Sequence, residues 1–328
     1  MKKLTATLAA ALLLAACAEK VDPAQEYRDA LPTAQAVQLG TPSADANPGA
    51  ISVSRDALGQ SPSYGSEYAQ TSYWTAVTVN VGVWWTLTLV QVIASFKPTH
   101  CDDAECSWGP WPGDDGLNEW MFHVAKVGES YEYELMARPI EGAADWTNIL
   151  TGTALPGVDR HHGSGDFTIN FDAQDLLAHD PDTYVKEDHG VLSVTYDNTA
   201  DVSIDATLVG GKNDDPSKPH MMDATYSFLD TGAGGTLGLR VLNRDTTERV
   251  SLFTRWNGTG AGRSDVQYSG AGGATPATAS ECWAGAGGIP PWVPAWGETY
   301  DSKVPFGDEL TDCVFNPAEY LSLPALPQ

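Results

Sequence analysis

Basic residues are scarce in this chain, which has 18 Lys and Arg against 43 Asp and Glu. The formal net charge is −25 at pH 7. Because nucleic-acid binding depends on basic side chains that neutralise phosphates, this deficit excludes nucleic acid as a partner. Anionic headgroups would also be repelled, so any membrane attachment must come from something other than surface charge.

Motifs of catalysis are also missing. The chain contains no Gly-x-Ser-x-Gly nucleophile elbow, no His-Glu-x-x-His helix, no phosphate loop and no dinucleotide fingerprint. We therefore expect no catalytic residue, no metal and no cofactor. Carboxylate pairs suited to glycoside hydrolysis stay open, because a chain with this many Asp and Glu residues always offers them.

Cysteines are few, and their number is even once the first is set aside. After Cys17 the chain has only Cys101, Cys106, Cys282 and Cys313. An even number in an exported chain is typical of disulfides, and the spacings fit neither a CxxC redox centre nor a common zinc pattern. Sequence proximity favours Cys101–Cys106 and Cys282–Cys313, although four cysteines permit three pairings.

The N-terminus has the parts of an export signal over residues 1–16. A positive start at Met1–Lys3 precedes an apolar run, Leu4–Leu14, that is too short to span a bilayer. The run ends in Leu14-Ala15-Ala16-Cys17, which resembles the bacterial lipobox in all four positions. The resemblance implies cleavage before Cys17, which then carries two or three acyl chains, such as palmitate, as a stable membrane anchor. Ala18 favours the outer membrane, and an ordinary secretory signal is the alternative.

Residues 17–70 are predicted to be a lipidated flexible tether. They are rich in Ala, Pro, Ser, Gln and Gly, and such a chain cannot bury enough apolar surface to offset its conformational entropy. Within them, Ala24–Leu31 is a short helix candidate with Tyr27 and Leu31 on one face. Residues 71–328 are then one domain, large enough for a core.

The stretch Tyr73–Phe96 contains no charged residue and no proline. Alternation of apolar residues from Val77 to Leu89 favours a strand, as do its many Val and Thr residues. Its length favours a helix, and apolar residues on every side of the helical wheel are typical of a fully buried one. Asn80 and Gln91 make a membrane span the poorest interpretation. We favour a long hydrophobic helix and leave the strand open.

From Glu119 onward the pattern is typical of β-strands. Trp120, Phe122 and Val124 alternate with other residues, and similar runs recur up to Leu252, many joined by Gly-, Asn- or Asp-rich turns. About ten short strands with tight reversals predict an antiparallel meander, whose apolar face and edges must be covered. The predicted fold is mainly β: a barrel or strongly curved sheet packed on one long hydrophobic helix (α+β).

Prolines and glycines dominate the chain after Asp265 and exclude helix and central strand from Gly288–Trp296. We expect this tail to cross the surface, pinned by a Cys282–Cys313 disulfide. Two tryptophan pairs also lie on loops rich in Pro and Gly. Exposed rings there would bind sugars or lipid tails, whereas the alternative, which we favour, is that they cover core. The candidate ligand-binding residues are Trp108, Trp111, Trp292 and Trp296.

Three polar turns offer weaker signals. His161-His162 has the side chains of a transition-metal or acid–base site, but no further ligand can be named for it. Asp114-Asp115-Gly116 and Asn213-Asp214-Asp215 supply oxygen ligands of the kind Ca²⁺ prefers, without the spacing of an EF-hand. A solvated turn is the favoured interpretation of all three.

Five short motifs, in order along the chain, resemble those of a family of envelope lipoproteins numerous in myxobacterial genomes. The resemblance implies a lipoprotein with a single domain, and it implies no activity. The motifs are Tyr27–Pro32, Cys106–Trp111, Gly163–Phe167, Gly260–Asp265 and Ser280–Trp283.

Together these features predict a membrane-anchored, non-enzymatic envelope lipoprotein. Its expected partners are the membrane, through Cys17, and an apolar ligand held between the sheet and the hydrophobic helix. The alternatives are a structural or adhesive protein that presents exposed tryptophans to a surface polymer, and a polysaccharide hydrolase with two carboxylates in an aromatic-lined cleft. The expected cavity lining includes Trp85, Phe122, Tyr133 and Phe171.

Overall fold

The computed structural model describes residues 22–37, 67–142, 145–159, 162–180, 189–212, 221–272, 274–284, 294–298 and 307–326. Their helices are α1 (Ala24–Ala30), α2 (Glu67–Ser95) and α3 (Glu309–Asp312), with 3₁₀ turns at Ala34–Val37 and Phe171–Leu176. The strands are β1 (His100–Cys101), β2 (Glu105–Pro112), β3 (Asn118–Val127), β4 (Ser130–Pro139), β5 (Thr147–Pro156), β6 (Gly163–Asn170), β7 (Val191–Asp197), β8 (Val202–Lys212), β9 (Met221–Asp230), β10 (Gly234–Asn243), β11 (Arg249–Asn257), β12 (Gly262–Ser269), β13 (Ala277–Trp283) and β14 (Pro294–Glu298).

All fourteen strands form one sheet in which spatial order follows sequence order. Each strand pairs with its neighbour in an antiparallel register, for example Phe167 opposite Val194 in β6 and β7. Because side chains alternate, Phe167 is buried while Asp166 faces solvent. The prediction of a mainly β antiparallel meander is confirmed. Closure into a barrel is not: in the described part of the chain no pairing joins β1 to β14.

The ambiguous stretch Tyr73–Phe96 is helical up to Ser95, within α2. A helix that is buried on every side is not confirmed. Leu87 and Val90 are fully buried in the core, whereas Leu89 and Val92 are 49% and 48% exposed. The reason is that only one face of this part of α2 contacts the core. The apolar residues on its other face, Leu89 and Val92, therefore have their side chains partly in solvent. No described helix is long and apolar enough to cross a membrane.

The first turn of α2 is held by polar groups of the late strands. The buried Glu281 carboxylate accepts hydrogen bonds from the backbone N–H of Tyr68 at 3.0 Å and of Ala69 at 3.3 Å. These N–H groups would otherwise lack partners at a helix N-terminus, where a negative charge is also favoured. One turn later, the Ser72 and Thr254 hydroxyls lie 2.5 Å apart. Polar contacts to residues that are distant in the sequence therefore hold this end of α2 against β11 and β13.

Residues 22–37 belong to the folded domain, which corrects the prediction of a flexible tether up to residue 70. Tyr27 and Leu31 are each only 1% exposed. The Tyr27 hydroxyl donates to the Asp102 carbonyl oxygen at 3.0 Å, and its ring packs edge-on against Tyr131. The physical reason is the i, i+4 spacing of two large apolar side chains, which gives α1 a face to bury. Cys17 and residues 38–66 lie outside the described residues.

Two cysteine pairs lie at disulfide distance, as the sequence spacing predicted. The Cα atoms are 4.0 Å apart in Cys101–Cys106 and 5.5 Å apart in Cys282–Cys313. The second pair joins β13 to the C-terminal strap, which we define as residues 307–326. The strap crosses the outer face of the late strands: the Ser251 hydroxyl, for example, donates to the Leu321 carbonyl oxygen at 2.8 Å.

Candidate functional site

A cleft of about 880 Å³ lies between the C-terminal end of α2 and strands β2 and β3. We call it the apolar cleft. Its size lies within the range of small-molecule binding sites. Polar residues line part of it, among them Lys97, Thr99 and Asn118. Its large apolar lining residues are Leu89, Ile93, Phe96, Trp108, Trp111, Trp120 and Leu135.

A β-bulge in β2 turns two tryptophans toward this cleft. Trp108 pairs with Phe122, and Trp111 pairs with Trp120, so two residues of β2 oppose the single residue Met121. In a regular strand, residues three apart point to opposite faces of the sheet. The extra residue of the bulge shifts the alternation of side chains by one position. Both rings therefore lie on the inner face of the sheet, the face that is directed toward α2.

The end of α2 is held in place by two side chains from other elements. The Arg28 guanidinium donates from Nε to the Ala94 carbonyl oxygen at 2.6 Å and from Nη2 to the Phe96 carbonyl oxygen at 3.0 Å. The Trp108 indole Nε1 donates to the same Phe96 oxygen at 2.9 Å. These donors satisfy carbonyl groups that a helix C-terminus leaves unpaired. Helix α1 and strand β2 therefore set the position of one wall of the cleft.

An ion pair supports Arg28 from the other side. Its Nη1 contacts the Asp22 carboxylate, and the hydrogen bond from Arg28 is the main reason why the pKa of Asp22 is lowered. The Arg28 side chain is 18% exposed, so part of its charge is shielded from water. Because Arg28 contacts both Asp22 and the carbonyl oxygens of Ala94 and Phe96, Asp22 lies close to the wall formed by residues 94–96.

Gly109→Ala tests the bulge. Gly109 has a φ of +101°, and an added Cβ would lie 2.6 Å from the Trp120 carbonyl oxygen and 2.6 Å from the Trp111 ring. Because that oxygen belongs to the backbone of β3, β2 must move away from it, and we expect a loss of about 2–4 kcal/mol in the free energy of unfolding. Urea unfolding followed by circular dichroism measures this loss.

Gly128→Ala is the matched control for that variant. Gly128 also has a positive φ, +67°, but an added Cβ would meet nothing within 4 Å. Only the conformational cost of about 1–2 kcal/mol then applies. Equal losses in the two variants would show that the contact with β3 contributes nothing.

The four predicted ligand-binding tryptophans do not form one patch. Trp108 and Trp111 line the apolar cleft, where Trp108 is 2% exposed and Trp111 is half-buried. Trp296 is 7% exposed and lies 5.3 Å from the Arg263 guanidinium, away from the cleft lining. Trp292 lies outside the described residues. The burial of Trp108 and Trp296 counts against an adhesive patch of exposed rings.

The cavity lining expected from the sequence differs from the observed one. Phe122 and Tyr133 are 0% and 2% exposed and belong to the core, with Phe171 packed against it. Inward side chains of the strands fill that space, and the void lies instead at the end of α2. The side chain of Trp85 is not among those described. Sequence reasoning missed Leu89 and its neighbours along α2, although their i, i+4 and i+7 spacing marks one helix face.

The polar side chains of two of the three turns form hydrogen bonds or close contacts within their own turns. The two carboxylate oxygens of Asp115 accept hydrogen bonds from the Leu117 backbone N–H at 2.9 Å and the Asn118 side chain at 3.3 Å. His162 Nδ1 lies 2.8 Å from an Asp159 carboxylate oxygen within its own turn. Within the described residues no group of three or more His, Cys, Asp or Glu side chains could hold a metal ion. His161 and residues 213–215 lie outside that part of the chain.

A second, polar groove of about 300 Å³ lies on strands β3 to β6. His123 stands between two carboxylates there, 3.2 Å from Glu105 and 3.4 Å from Glu134. Its lining includes one aromatic residue, Tyr133, which is itself buried. The groove therefore lacks the aromatic platform that was expected for a polysaccharide hydrolase.

The chemistry of the apolar cleft fits binding. Its described lining has aromatic and aliphatic surface together with Lys97, Asp114 and Asp115. Burial of apolar groups of a ligand against such a surface removes them from water, which is favourable. The chain matches no protein-family model, no curated protein and no solved structure at a significant level.

Proposed function

We propose that this protein is a lipid-anchored, non-enzymatic protein of the bacterial envelope that binds an apolar ligand. The apolar cleft, with its seven large apolar lining residues and volume of about 880 Å³, is the observation that carries the proposal. The motif Leu14-Ala15-Ala16-Cys17 supports acylation of Cys17, and Ala18 supports sorting to the outer membrane.

Exposed apolar surface around the cleft supports a ligand. Phe96 is 65% exposed and Leu89 is 49% exposed, although both contribute to the cleft wall. Covering apolar surface is worth roughly 25 cal/mol for each Å² removed from water. A ligand that occupies the cleft would cover these two side chains and contact Trp111 and Trp120, so binding would gain from both area and aromatic contact.

We also propose that the sheet curves strongly around α2, as in the architecture expected from the sequence. Early and late strands support this, because Trp108 of β2 donates to Phe96, the residue that follows the helix, and Trp283 of β13 packs on Ala69 in its first turn. In a flat sheet β2 and β13 would lie about 53 Å apart. The helix between these contacts is only about 40 Å long.

A charge placed in the cleft tests the proposed ligand. The neutral fluorophore N-phenyl-1-naphthylamine is titrated into the full chain carrying Cys17→Ser, so that no covalent acyl chain competes. We expect its fluorescence to rise on binding, and Leu89→Asp to weaken the affinity about tenfold or more, because a carboxylate would have to enter apolar surroundings.

Val209→Asp is the matched control, since Val209 is 47% exposed, like Leu89, and does not line the cleft. Its affinity for the fluorophore should equal that of the parent chain. The proposal fails if the parent chain binds no fluorophore, or if both aspartate variants weaken binding to the same extent.

The two alternatives have less support. An adhesive surface needs its aromatic rings exposed, and Trp108 and Trp296 are buried. A polysaccharide hydrolase needs two free carboxylates facing each other across an aromatic cleft. Asp115, one of the two acids in the lining of the apolar cleft, has both oxygens engaged in its own turn.

A further inference from the structure

Asp22, which precedes helix α1, lies near the edge of the apolar cleft. Asp22 pairs with the Arg28 guanidinium, and the same guanidinium donates to the carbonyl oxygen of Phe96 at 3.0 Å. Phe96 is a wall residue of the cleft. A single arginine side chain therefore separates the Asp22 carboxylate from the wall.

The predicted site of acylation cannot lie far from this point. Cys17 precedes Asp22 by five residues. A chain of that length spans at most roughly 18 Å when fully extended. Because α1 is packed into the core, residues after Asp22 do not lengthen the connection. An anchor on Cys17 would thus hold this end of the domain, with the edge of the cleft, close to the membrane.

One face of α2 beside the cleft exposes apolar side chains. We define the α2 face as Leu89 and Val92 of α2 together with Phe96 and Lys97, which directly follow its last residue, Ser95. The three apolar members follow each other at i, i+3 and i+7, and they are 49%, 48% and 65% exposed. Lys97 is exposed and has no hydrogen bond or ion pair to any described residue. This combination is typical of helices that lie in the headgroup region, where a lysine extends its amine toward water.

We propose that the α2 face rests on the bilayer that holds the Cys17 acyl chains, so that the apolar cleft opens onto membrane lipid. The proposal rests on the acylation of Cys17 in the proposed function. It assigns the ligand of the cleft to a class, a lipid taken from the adjoining membrane. It also gives the exposed apolar side chains of α2 a partner that removes them from water.

The charged residues near the α2 face indicate which kind of lipid headgroup it would contact. Four acids, Asp22, Glu26, Asp29 and Asp102, lie on or against helix α1. Arg28 and Lys126 form ion pairs with Asp22 and Glu26, so the acids there without a Lys or Arg partner among the described residues are Asp29 and Asp102, against the single Lys97 of the α2 face. A zwitterionic surface therefore fits this end better than an anionic one, which would add repulsion that salt screens.

The experiment places a bimane label at position 92 of the full chain through Val92→Cys, after the native disulfides have formed. The acylated protein is reconstituted into phosphatidylcholine vesicles that contain a doxyl-labelled lipid quencher. We expect quenching about threefold stronger than for the same label at Val209→Cys, which has matched exposure on β8. Equal quenching at the two positions overturns the proposal.

The intact mass of the same preparation distinguishes failure of the proposed membrane contact from failure of the proposed acyl anchor. A mass that shows acyl chains, together with equal quenching, overturns the membrane contact while the anchor and the ligand proposal stand. A mass without acyl chains overturns the anchor, and the membrane contact with it. Acyl chains with stronger quenching at position 92 support both.

Discussion

Asp265→Ala is expected to lower the free energy of unfolding by about 3–5 kcal/mol, because it leaves buried charge without its partner. Asp265 is 1% exposed. One carboxylate oxygen accepts from Arg263 Nε at 2.7 Å and from the Ser280 hydroxyl at 2.6 Å. The other accepts from Arg255 Nη2 and from the backbone N–H of Glu319, both at 3.0 Å.

Two arginines depend on this carboxylate. Burial acts to lower the pKa of Arg263, but hydrogen bonds from the guanidinium to Asp265 and Glu309 outweigh it and hold the pKa above its usual value. The Arg263 side chain is completely buried and that of Arg255 is 10% exposed. Without Asp265 the acidic partners that remain are Glu319 for Arg255 and Glu309 for Arg263, and both of those are far more exposed. The other acceptors that remain are uncharged backbone carbonyl oxygens of the strap.

Urea unfolding of the full chain measures the change. Asp205→Ala is the control, because Asp205 is an exposed acid on β8 and its loss should change the free energy of unfolding by less than about 0.5 kcal/mol. If the two variants lose the same stability, the buried ion cluster does not stabilise the fold in the way the contacts indicate.

Removal of the Cys282–Cys313 bond by a double serine substitution is expected to cost about 3–4 kcal/mol, since it closes a loop with a sequence separation of 31. The bond attaches the first part of the strap, which contains α3, to β13. Cys282 is fully buried, so the serine hydroxyl at position 282 also enters a site with little access to water. We expect the strap to become a site of proteolysis at lower urea concentrations.

The Cys101–Cys106 pair provides the control for loop length. Its sequence separation is 5, so the same double substitution should cost about 2 kcal/mol. Urea midpoints of both double variants, compared with the parent chain, test the order. A larger loss at the short loop than at the long one would contradict the expectation.

The meander and the cysteine pairs could be predicted because both depend on information close along the chain. Alternation in β3, with Phe122 and Val124 buried, follows from the period of a strand. Antiparallel pairing of consecutive strands needs only short turns between them. Cysteines separated by 5 and 31 residues were the nearest neighbours in sequence, and they are neighbours in space.

Two segments could not be assigned from composition. Tyr73–Phe96 is apolar on all sides, so its periodicity suits a helix and a strand alike, and contacts such as Ser72 with Thr254 select the helix. Residues 22–37 have the composition of a tether. They are ordered because Tyr27 and Arg28 bond to groups of residues 94–102, more than sixty positions away.

The cleft was decided by the tertiary structure alone. The sequence indicated Trp108 and Trp111, but it did not indicate that a bulge brings both rings to the inner face or that α2 ends beside them. A bulge moves every later side chain of its own strand to the other face of the sheet. The alternation of apolar residues in the neighbouring strand stays the same, so its sequence does not reveal the bulge. The meander thus follows from local patterns, and the same kind of pattern predicts export and anchoring. The void and its walls depend instead on contacts between elements that are distant in the chain.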